Sequence, residues 1–432
     1  MGVQESLPEL WNGVPPRRLL RLSAARVRPA EPPPLDLSRS PLPVPLRPGA
    51  ELAVLDASEY FGETSGGVRT YLLQKSRYVN SRPSLRQVLV VPGAEDALLD
   101  VDGVRCYRLG GPTIPTQAPY RFMTSAARMG RIVRHERPHI IEAGSAYFVP
   151  WLVRGAARRL DVPMVWFCHG NIPRILAPRL ERDALLRRGA AGVAARYLKW
   201  IAEGVATTIV ASDFARQDLE RYGIERITRV PLGVDLDRFH PRRREQRDET
   251  RQRYRLPAGP LAVYAGRFTG EKQLDIAIDG WRALSRRDAT LALVGGGPLH
   301  ERLLARAAGL PVRLLPFEHD RDLLADLYAA ADLYLAPGPA ETFGLAALEA
   351  MACGTPVLSV DSGGVAEQVS RSGAGTVYPV GDPAALAEAA RRLLDGDLRS
   401  LGARGRAYAE AHHGWDAVFD QVFDVYRDVL RR

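Results

Sequence analysis

The chain is poor in the features that would fix a fold covalently or anchor it in lipid. It has three cysteines, Cys106, Cys168 and Cys353, an odd number at wide spacing with no C-x-x-C pair. That argues against a disulfide framework and against a structural zinc site. No apolar run approaches the roughly 20 residues that span a bilayer. The N-terminus also lacks a charged-then-apolar signal pattern. A cytoplasmic protein is expected, with peripheral contact at the inner face of the membrane left open. A dinucleotide fingerprint is missing as well: Gly295-Gly296-Gly297-Pro298 would need a glycine at position 300, where His300 stands. A dehydrogenase reading fails on that ground. No dedicated metal-ligand cluster is apparent, so neither metal nor cofactor is expected, and no nucleic-acid partner.

What is present is length and alternation. A chain of 432 residues should form two domains of ordinary size. Lys plus Arg exceed Asp plus Glu by 59 − 50 = 9, and arginine greatly outnumbers lysine. This suits phosphate-bearing ligands or an anionic membrane surface. A general bias toward Arg, Ala, Gly and Pro accounts for it equally well.

The stretch from Ala336 to Pro356, APGPAETFGLAALEAMACGTP, organises the rest. Leu333-Tyr334-Leu335 before it reads as a short buried strand. The alanine- and leucine-rich run has strong helix propensity, and Gly354 and Pro356 stop it. Glu341 then sits in the loop at the helix mouth. Glu349 lies within the helix, eight positions on and about two turns further along. A helix N-terminus offers free N–H groups and positive dipole to an anion. A carboxylate accepts two hydrogen bonds and so suits the vicinal hydroxyls of a sugar or ribose. Together these are what a nucleotide-sugar needs.

The stretch resembles the signature of the retaining family 4 glycosyltransferases, whose fold is called GT-B. The resemblance implies that Glu341 contacts the transferred sugar and Glu349 the nucleotide ribose. It also implies that the backbone amides of Phe343, Gly344 and Leu345 face the sugar and diphosphate.

The remaining segments extend the pattern. Residues 1–48 are rich in Pro and Arg and read as a flexible or loosely docked arm, which the resemblance does not cover. Leu52 to Leu55 is a buried strand, followed by Gly66 and Gly67 opening a helix, where adjacent glycines let a backbone approach a ligand closely. The resemblance places this loop beside the donor phosphate and the acceptor. Further strands are expected at Gln87–Val91, Val104–Leu109, Ile140-Ile141 and Met164–Phe167, with a helix over Thr124–Glu136. His169 follows Met164–Phe167 and stands where open α/β sheets bind ligands. In the family the matching histidine contacts the sugar. Segment 174–199 mixes arginine with leucine and alanine and reads as one or two basic amphipathic helices. These either contact anionic lipid or present a solvated face. Leu232 stands where the family commonly has asparagine. The charged stretch 240–257 leads into the second half.

In that half Arg267 and Lys272 straddle a glycine-containing turn after Leu261–Ala265. Two cations converging there would clamp a diphosphate, which is the role the resemblance implies for them. Gly295 reads as part of a strand-end turn lining the nucleotide cleft, and the loop from Leu314 to Glu318 should flank the base. The last helix, from about Trp415, is amphipathic, and the resemblance carries it back onto the first domain.

The expected fold class is α/β: two facing Rossmann-like domains with parallel sheets and a cleft between them. Its parts are an arm (1–48), an acceptor-side domain (49–238), a nucleotide-sugar-binding domain (239–413) and a returning helix (414–432). The expected function is metal-independent transfer of a hexose, with retention, from a nucleoside-diphosphate sugar to a hydroxyl of a glycan or lipid. GDP-mannose is favoured as donor by similarity to bacterial mannosyltransferases of the family. Arg267 and Lys272 would stabilise the departing diphosphate, and Glu341 and His169 would orient the sugar. A nucleotide-sugar epimerase of the same fold and a non-catalytic sugar-nucleotide-binding protein are the alternatives.

Overall fold

A computed structural model describes residues 36–46, 49–62, 66–114, 120–170 and 184–432, the side chains of 184–188, 190 and 191 excepted. Most of the arm, the segment 171–183 with the first part of the basic run, and residues 63–65 of the glycine loop lie outside the described residues. The first domain runs β1 (Leu52–Ala57), α1 (Gly67–Asn80), β2 (Leu85–Gly93), β3 (Ala97–Val101), β4 (Val104–Gly110), α2 (Ala126–Glu136) and β5 (Ile140–Ala143). It continues with α3 (Val149–Leu160), β6 (Met164–Phe167), α4 (Ala184–Glu203), β7 (Thr207–Val210), α5 (Asp213–Glu220) and β8 (Ile227–Arg229). The second runs α6 (Arg247–Arg253), β9 (Leu261–Arg267), α7 (Leu274–Leu284), β10 (Thr290–Gly296), α8 (His300–Arg306), β11 (Val312–Leu315), α9 (Arg321–Ala330) and β12 (Leu333–Ala336). After it come α10 (Leu345–Ala352), β13 (Val357–Val360), α11 (Gly364–Ser372), β14 (Gly375–Tyr378), α12 (Pro383–Leu394), α13 (Leu398–His412) and α14 (Trp415–Arg431).

The strands form two sheets, β3-β4-β2-β1-β5-β6-β7-β8 and β11-β10-β9-β12-β13-β14. Every pairing is parallel except β3 with β4. Parallel strands covered on both faces need continuous apolar runs, and β1, β5, β6, β7, β12 and β13 are buried at every position. The antiparallel β3 went unread in the sequence. It is a hairpin closed by Asp102-Gly103, both at positive φ, and Asp-Gly is a strong hairpin-turn signal.

In each sheet the chain order reverses beside the first strand, between β1 and β5 and between β9 and β12. Such switch points open a crevice at the carboxyl ends of the strands. The charged stretch before β9 is structural: Arg244, Arg247 and Arg251 all bond the carboxylate of Asp332, just ahead of β12. Asp332 also accepts the N–H of Leu261 at 2.9 Å, so one buried acid aligns the two switch-point strands. Part of the N-terminal arm is docked. Leu37 is fully buried, and Arg131 of α2 donates to the carbonyls of Leu37 and Ser40 at 2.7 Å.

The end of the chain crosses back to the first domain. The N–H of Val234 donates to the carbonyl of His413 at 2.7 Å, and α14 then lies on α1. Its apolar stripe of Val418, Phe419, Val422, Phe423 and Tyr426 is buried, with Phe419 5.5 Å from Tyr71 and Phe423 5.3 Å from Tyr78 between ring centroids. Beneath the rings sits a charged cluster with almost no solvent exposure. Lys75 of α1 donates to Asp56 of β1 at 2.6 Å, to the Tyr426 hydroxyl at 2.6 Å and to Glu142 of β5 at 3.4 Å. Tyr71 and Tyr426 also donate to Glu142, and Gln87 to Asp56.

Removing the single cation would leave two buried carboxylates uncompensated. Lys75→Ala is expected to cost about 3–5 kcal/mol, and Tyr426→Phe, which removes bonds to two charged partners, about 1.5–3 kcal/mol, read as shifts in urea-unfolding free energy. Small, equal effects in both variants would show that the cluster does not seat α14.

Candidate active site

A cavity of about 320 Å³ lies between the domains at the two switch points. Its walls include Gly66, Gly67, His169, Arg267, Lys272, Glu341, Phe343, Gly344 and Leu345, residues from opposite ends of the sequence.

Two helix N-termini meet there. The N-cap of α1 is Gly66 and that of α10 is Gly344, and neither supplies a side-chain cap, so first-turn N–H groups of both are left without intrahelical partners. A Cβ on Gly67 would lie 3.7 Å from Leu345 Cδ2, so the two ends face each other across the cleft. A Cβ on Gly66 would meet nothing; its missing side chain leaves room in the cavity. Gly344 is constrained by its own conformation: φ is +88°, and a Cβ would come within 2.1 Å of Val365 Cγ2.

The loop after β12 is fixed from behind by the start of α11. Gly364 N donates to the carbonyl of Glu341 at 2.7 Å, Ser362 Oγ to that of Pro339 at 3.1 Å, and Gln368 Nε2 to that of Phe343 at 2.6 Å. Gly338 packs against the backbone of Glu271 and Lys272, which brings the β9 and β12 loops together. As a result Lys272 and Glu341 form an ion pair. Arg267 pairs with Glu271 at 3.4 Å, and Thr269 Oγ1 donates to the same carboxylate at 2.7 Å. Burial pushes the Glu271 carboxyl up, but the Thr269 hydrogen bond, its own backbone and the two cations outweigh it and hold it below the ordinary range. Both cations thus stand beside carboxylates on the cleft wall.

His169 comes from the other domain. Its ring stacks on Phe167 at 4.2 Å and meets the edge of Tyr71 at 5.3 Å. Burial, then the charge of Lys75, lowers its pKa to about 3, so the imidazole is neutral at pH 7. Its Nε2 is enclosed and has no hydrogen-bond partner among the described residues. Thr342 joins the domains: its hydroxyl donates to the carbonyl of His169 at 2.9 Å, and its own carbonyl accepts from Ser212 Oγ at 2.5 Å. The residue after Glu341 therefore sets the distance between Glu341 and His169.

Two residues expected at the donor site do not line this cavity. Glu349 is 2 % exposed and does not line the cavity. It is paired with Arg321 at the start of α9, and burial, partly offset by that arginine, raises its pKa. Gly295 is also absent from the cavity wall. It pairs with Gly266 across β9 and β10, where a Cβ would lie 1.9 Å from the Gly266 carbonyl oxygen, so close strand packing accounts for it. Conversely, the sequence reading passed over Tyr60, Tyr120 and Tyr147, which line the first-domain side. Tyr60 lies edge-on to both others at 6.2 and 5.6 Å. The only sequence signal was position: Tyr60 and Tyr147 closely follow the switch-point strands β1 and β5. Phe317, in the loop expected to flank a base, is in the wall, as is Leu232. Among the described residues no three His, Cys, Asp or Glu side chains converge as metal ligands.

Comparison with known proteins bears on the family and the fold. The family described as Glycosyltransferase Family 4 matches residues 65–238, and that described as Glycosyl transferases group 1 matches residues 259–396. A GDP-mannose-dependent alpha-(1-6)-phosphatidylinositol dimannoside mannosyltransferase of Mycobacterium tuberculosis is 35% identical over 361 residues, covering 82% of this chain and 88% of the relative. A D-inositol 3-phosphate glycosyltransferase of Xylanimonas cellulosilytica is 30% identical over 404 residues, covering 85% and 93%. Among solved structures, sucrose-phosphate synthase from Thermosynechococcus elongatus has a similar fold, with a TM-score of 0.71 at 21% identity over 88% of this chain and 99% of that one. Anabaena HepE in complex with UDP-glucose superposes with a TM-score of 0.70 at 18% identity, covering 88% and 100%.

The lowered pKa of His169 has a consequence for stability. Its unfolded value is near 6.5, so the unfolded chain takes up a proton that the folded ring refuses. The stability contributed is fully present above about pH 6.5 and is lost as pH falls toward 3. His169→Asn is expected to lose less stability than wild type between those pH values, measured by urea unfolding across the range. Parallel profiles would mean that the ring protonates in the folded state.

Proposed function

The chain belongs to the family 4 glycosyltransferases, and from that premise we propose that it transfers mannose from GDP-mannose to a hydroxyl of a mannosylated, lipid-borne acceptor. That it is a glycosyltransferase using a nucleotide sugar follows from the family. The observation that carries the diphosphate-sugar part of this reading is the meeting of two uncapped helix N-termini with Arg267 and Lys272 in one cleft. A diphosphate bound there would receive N–H groups from both domains and charge from both cations. A phosphate oxygen would displace Glu341 from Lys272, leaving that carboxylate to accept hydroxyls of the sugar. As the glycosidic bond to the diphosphate breaks, negative charge grows on the leaving oxygen. Fixed cations and amides stabilise it without reorganising, usually the largest catalytic term. The neutral His169 ring, with Nε2 unpartnered, would hydrogen-bond a sugar hydroxyl.

The donor assignment is supported by the relative named as GDP-mannose-dependent. The acceptor assignment is supported by the same protein's name and by the wall of Tyr60, Tyr120 and Tyr147, whose ring faces suit a cyclic polyol. Retention and independence from metal belong to the proposal on the family resemblance. Product anomer by NMR and activity in chelator test them.

Thermal shift with GDP-mannose, UDP-glucose, GDP and UDP is the first test. A selective shift with the guanine pair, followed by mannose transfer to phosphatidylinositol mannosides, is expected. A selective shift with the uracil pair would overturn the donor assignment. Lys272→Ala should lower kcat by about 100- to 1,000-fold while the folded state persists; full activity would remove the site assignment. Thr342→Val deletes one interdomain hydrogen bond worth about 1 kcal/mol. It should lower kcat about fivefold with little change in GDP affinity, with activity restored in Thr342→Ser. An equal loss in both variants would show that the hydroxyl does not align the domains.

A further inference from the structure

The sequence drew attention to the arginines of segment 174–199; the structure draws attention to the aromatic rings next to them. Phe148 and Trp151, at the start of α3, are 43% and 57% exposed, and Val193 of α4 is 70% exposed. Trp151 stacks on Trp200 of α4 at 4.4 Å between centroids and donates from Nε1 to the Tyr197 hydroxyl at 3.1 Å. The Arg154 guanidinium lies 4.5 Å from the centroid of the Trp200 ring. Positions 151, 154 and 158 share one face of α3, and 193, 196, 197 and 200 one face of α4. The two stripes therefore meet in a single surface of Trp, Phe, Tyr and Val bordered by the exposed cations Arg158 and Arg196. Among the described residues, Glu59 lies buried beneath this face, where it accepts the N–H groups of Phe148 and Val149 at 2.8 and 3.1 Å, while Asp161 and Glu203 stand exposed at the ends of the two helices.

Soluble surfaces seldom present indole and phenyl rings side by side without a partner. Trp and Tyr with a ring of arginines is the composition of a membrane–water interface. The surface is also continuous with the cleft, since Tyr197 donates to the carbonyl of Tyr147 at 2.5 Å and Tyr147 lines the cavity.

We propose that the α3–α4 face is a docking surface for an anionic lipid bilayer, seating the acceptor side of the cleft at the membrane. A lipid-borne acceptor, the reading above, would give this surface its use: the aromatic rings enter the headgroup layer while the arginines pair with lipid phosphates.

The test is co-sedimentation of the full chain with phosphatidylcholine vesicles with and without phosphatidylinositol, in the absence of donor and acceptor. Wild type should bind the anionic vesicles, and Trp151→Ser should lower the partition coefficient by about tenfold. Trp151→Tyr should retain most of it. Arg158→Glu combined with Arg196→Glu should lower binding and flatten its salt dependence. Val193→Asp, at an apolar position of α4 that is 70% exposed, provides a second test whose variant risks little in folding. No binding by wild type, or equal binding by wild type, Trp151→Ser and Val193→Asp, would overturn the proposal. So would concentration-dependent self-association that Trp151→Ser abolishes while vesicle binding persists, because a second copy would then cover the face. Transfer to a water-soluble alkyl mannoside should be unchanged in Trp151→Ser. Vesicle binding without any transfer by the same preparation would uphold the docking face and refute only the acceptor reading.

Discussion

A lysine with no exposed surface holds the arrangement together. Lys75 sits where β1, β5, α1 and the last helix of the chain meet, and among the described residues it is the one cation bonded to two buried carboxylates. A buried charge is tolerated only when paired and hydrogen-bonded, so Asp56, Glu142 and Tyr426 are not free to shift independently. This constrains more than the core. Tyr426 lies on α14, which follows directly from the second domain, and Lys75 lies on α1, whose N-terminus faces the cleft. The cluster fixes α1 from below and ties the end of the second domain to it. Tyr71, also on α1, meets His169, so the ring facing the cleft is packed on the same support.

The cleft follows a different electrostatic logic. Of the chain's three lysines, Lys75, Lys199 and Lys272, one neutralises buried acids and one is exposed on α4. The third is half-enclosed with Glu341. Arg267 is matched in the same way by Glu271. The positive field of two helix N-termini and two cations is thus partly balanced on the wall itself, within reach of a ligand carrying more charge than a carboxylate. On the proposed reading, a phosphate would compete with these carboxylates for the cations, and the same exchange would make Glu341 available to the sugar.

Alignment across the cleft rests on few bonds. Thr342 donates to one residue of the first domain and accepts from another, while Asp213 and Arg371 pair at 2.5 Å further along. The neutral hydrogen bonds of Thr342 contribute about 1 kcal/mol each, and the half-exposed Asp213–Arg371 ion pair about 0–1 kcal/mol, small beside the buried cluster. Such a joint can open and re-form, whereas the core beneath it stays fixed. The aromatic face of α3 and α4 is built on that fixed side, so an attachment there would leave the second domain free to move over the donor.

The sequence alone determined the alternation of buried strands and helices, because parallel strands covered on both faces must be continuously apolar. It also placed Gly66, Gly67, Arg267, Lys272, Glu341 and Gly344 each at a strand end or the start of the following helix, where local order suffices because the two are neighbours along the chain. That they surround one crevice was implied by the family resemblance, and the packing of the two domains brings it about. The sequence did not determine which side chains reach the cavity. Glu349 was legible as a helix residue two turns in, but its pairing with Arg321, 28 residues earlier, depends on how α9 packs on α10. Gly295 looked like a cleft turn, whereas its lost side chain makes room for a neighbouring strand. The tyrosine wall and the stacking of Trp151 on Trp200 join segments distant in sequence, and no local pattern announces them. Burial and pairing across elements are properties of packing, and only the tertiary structure decided them.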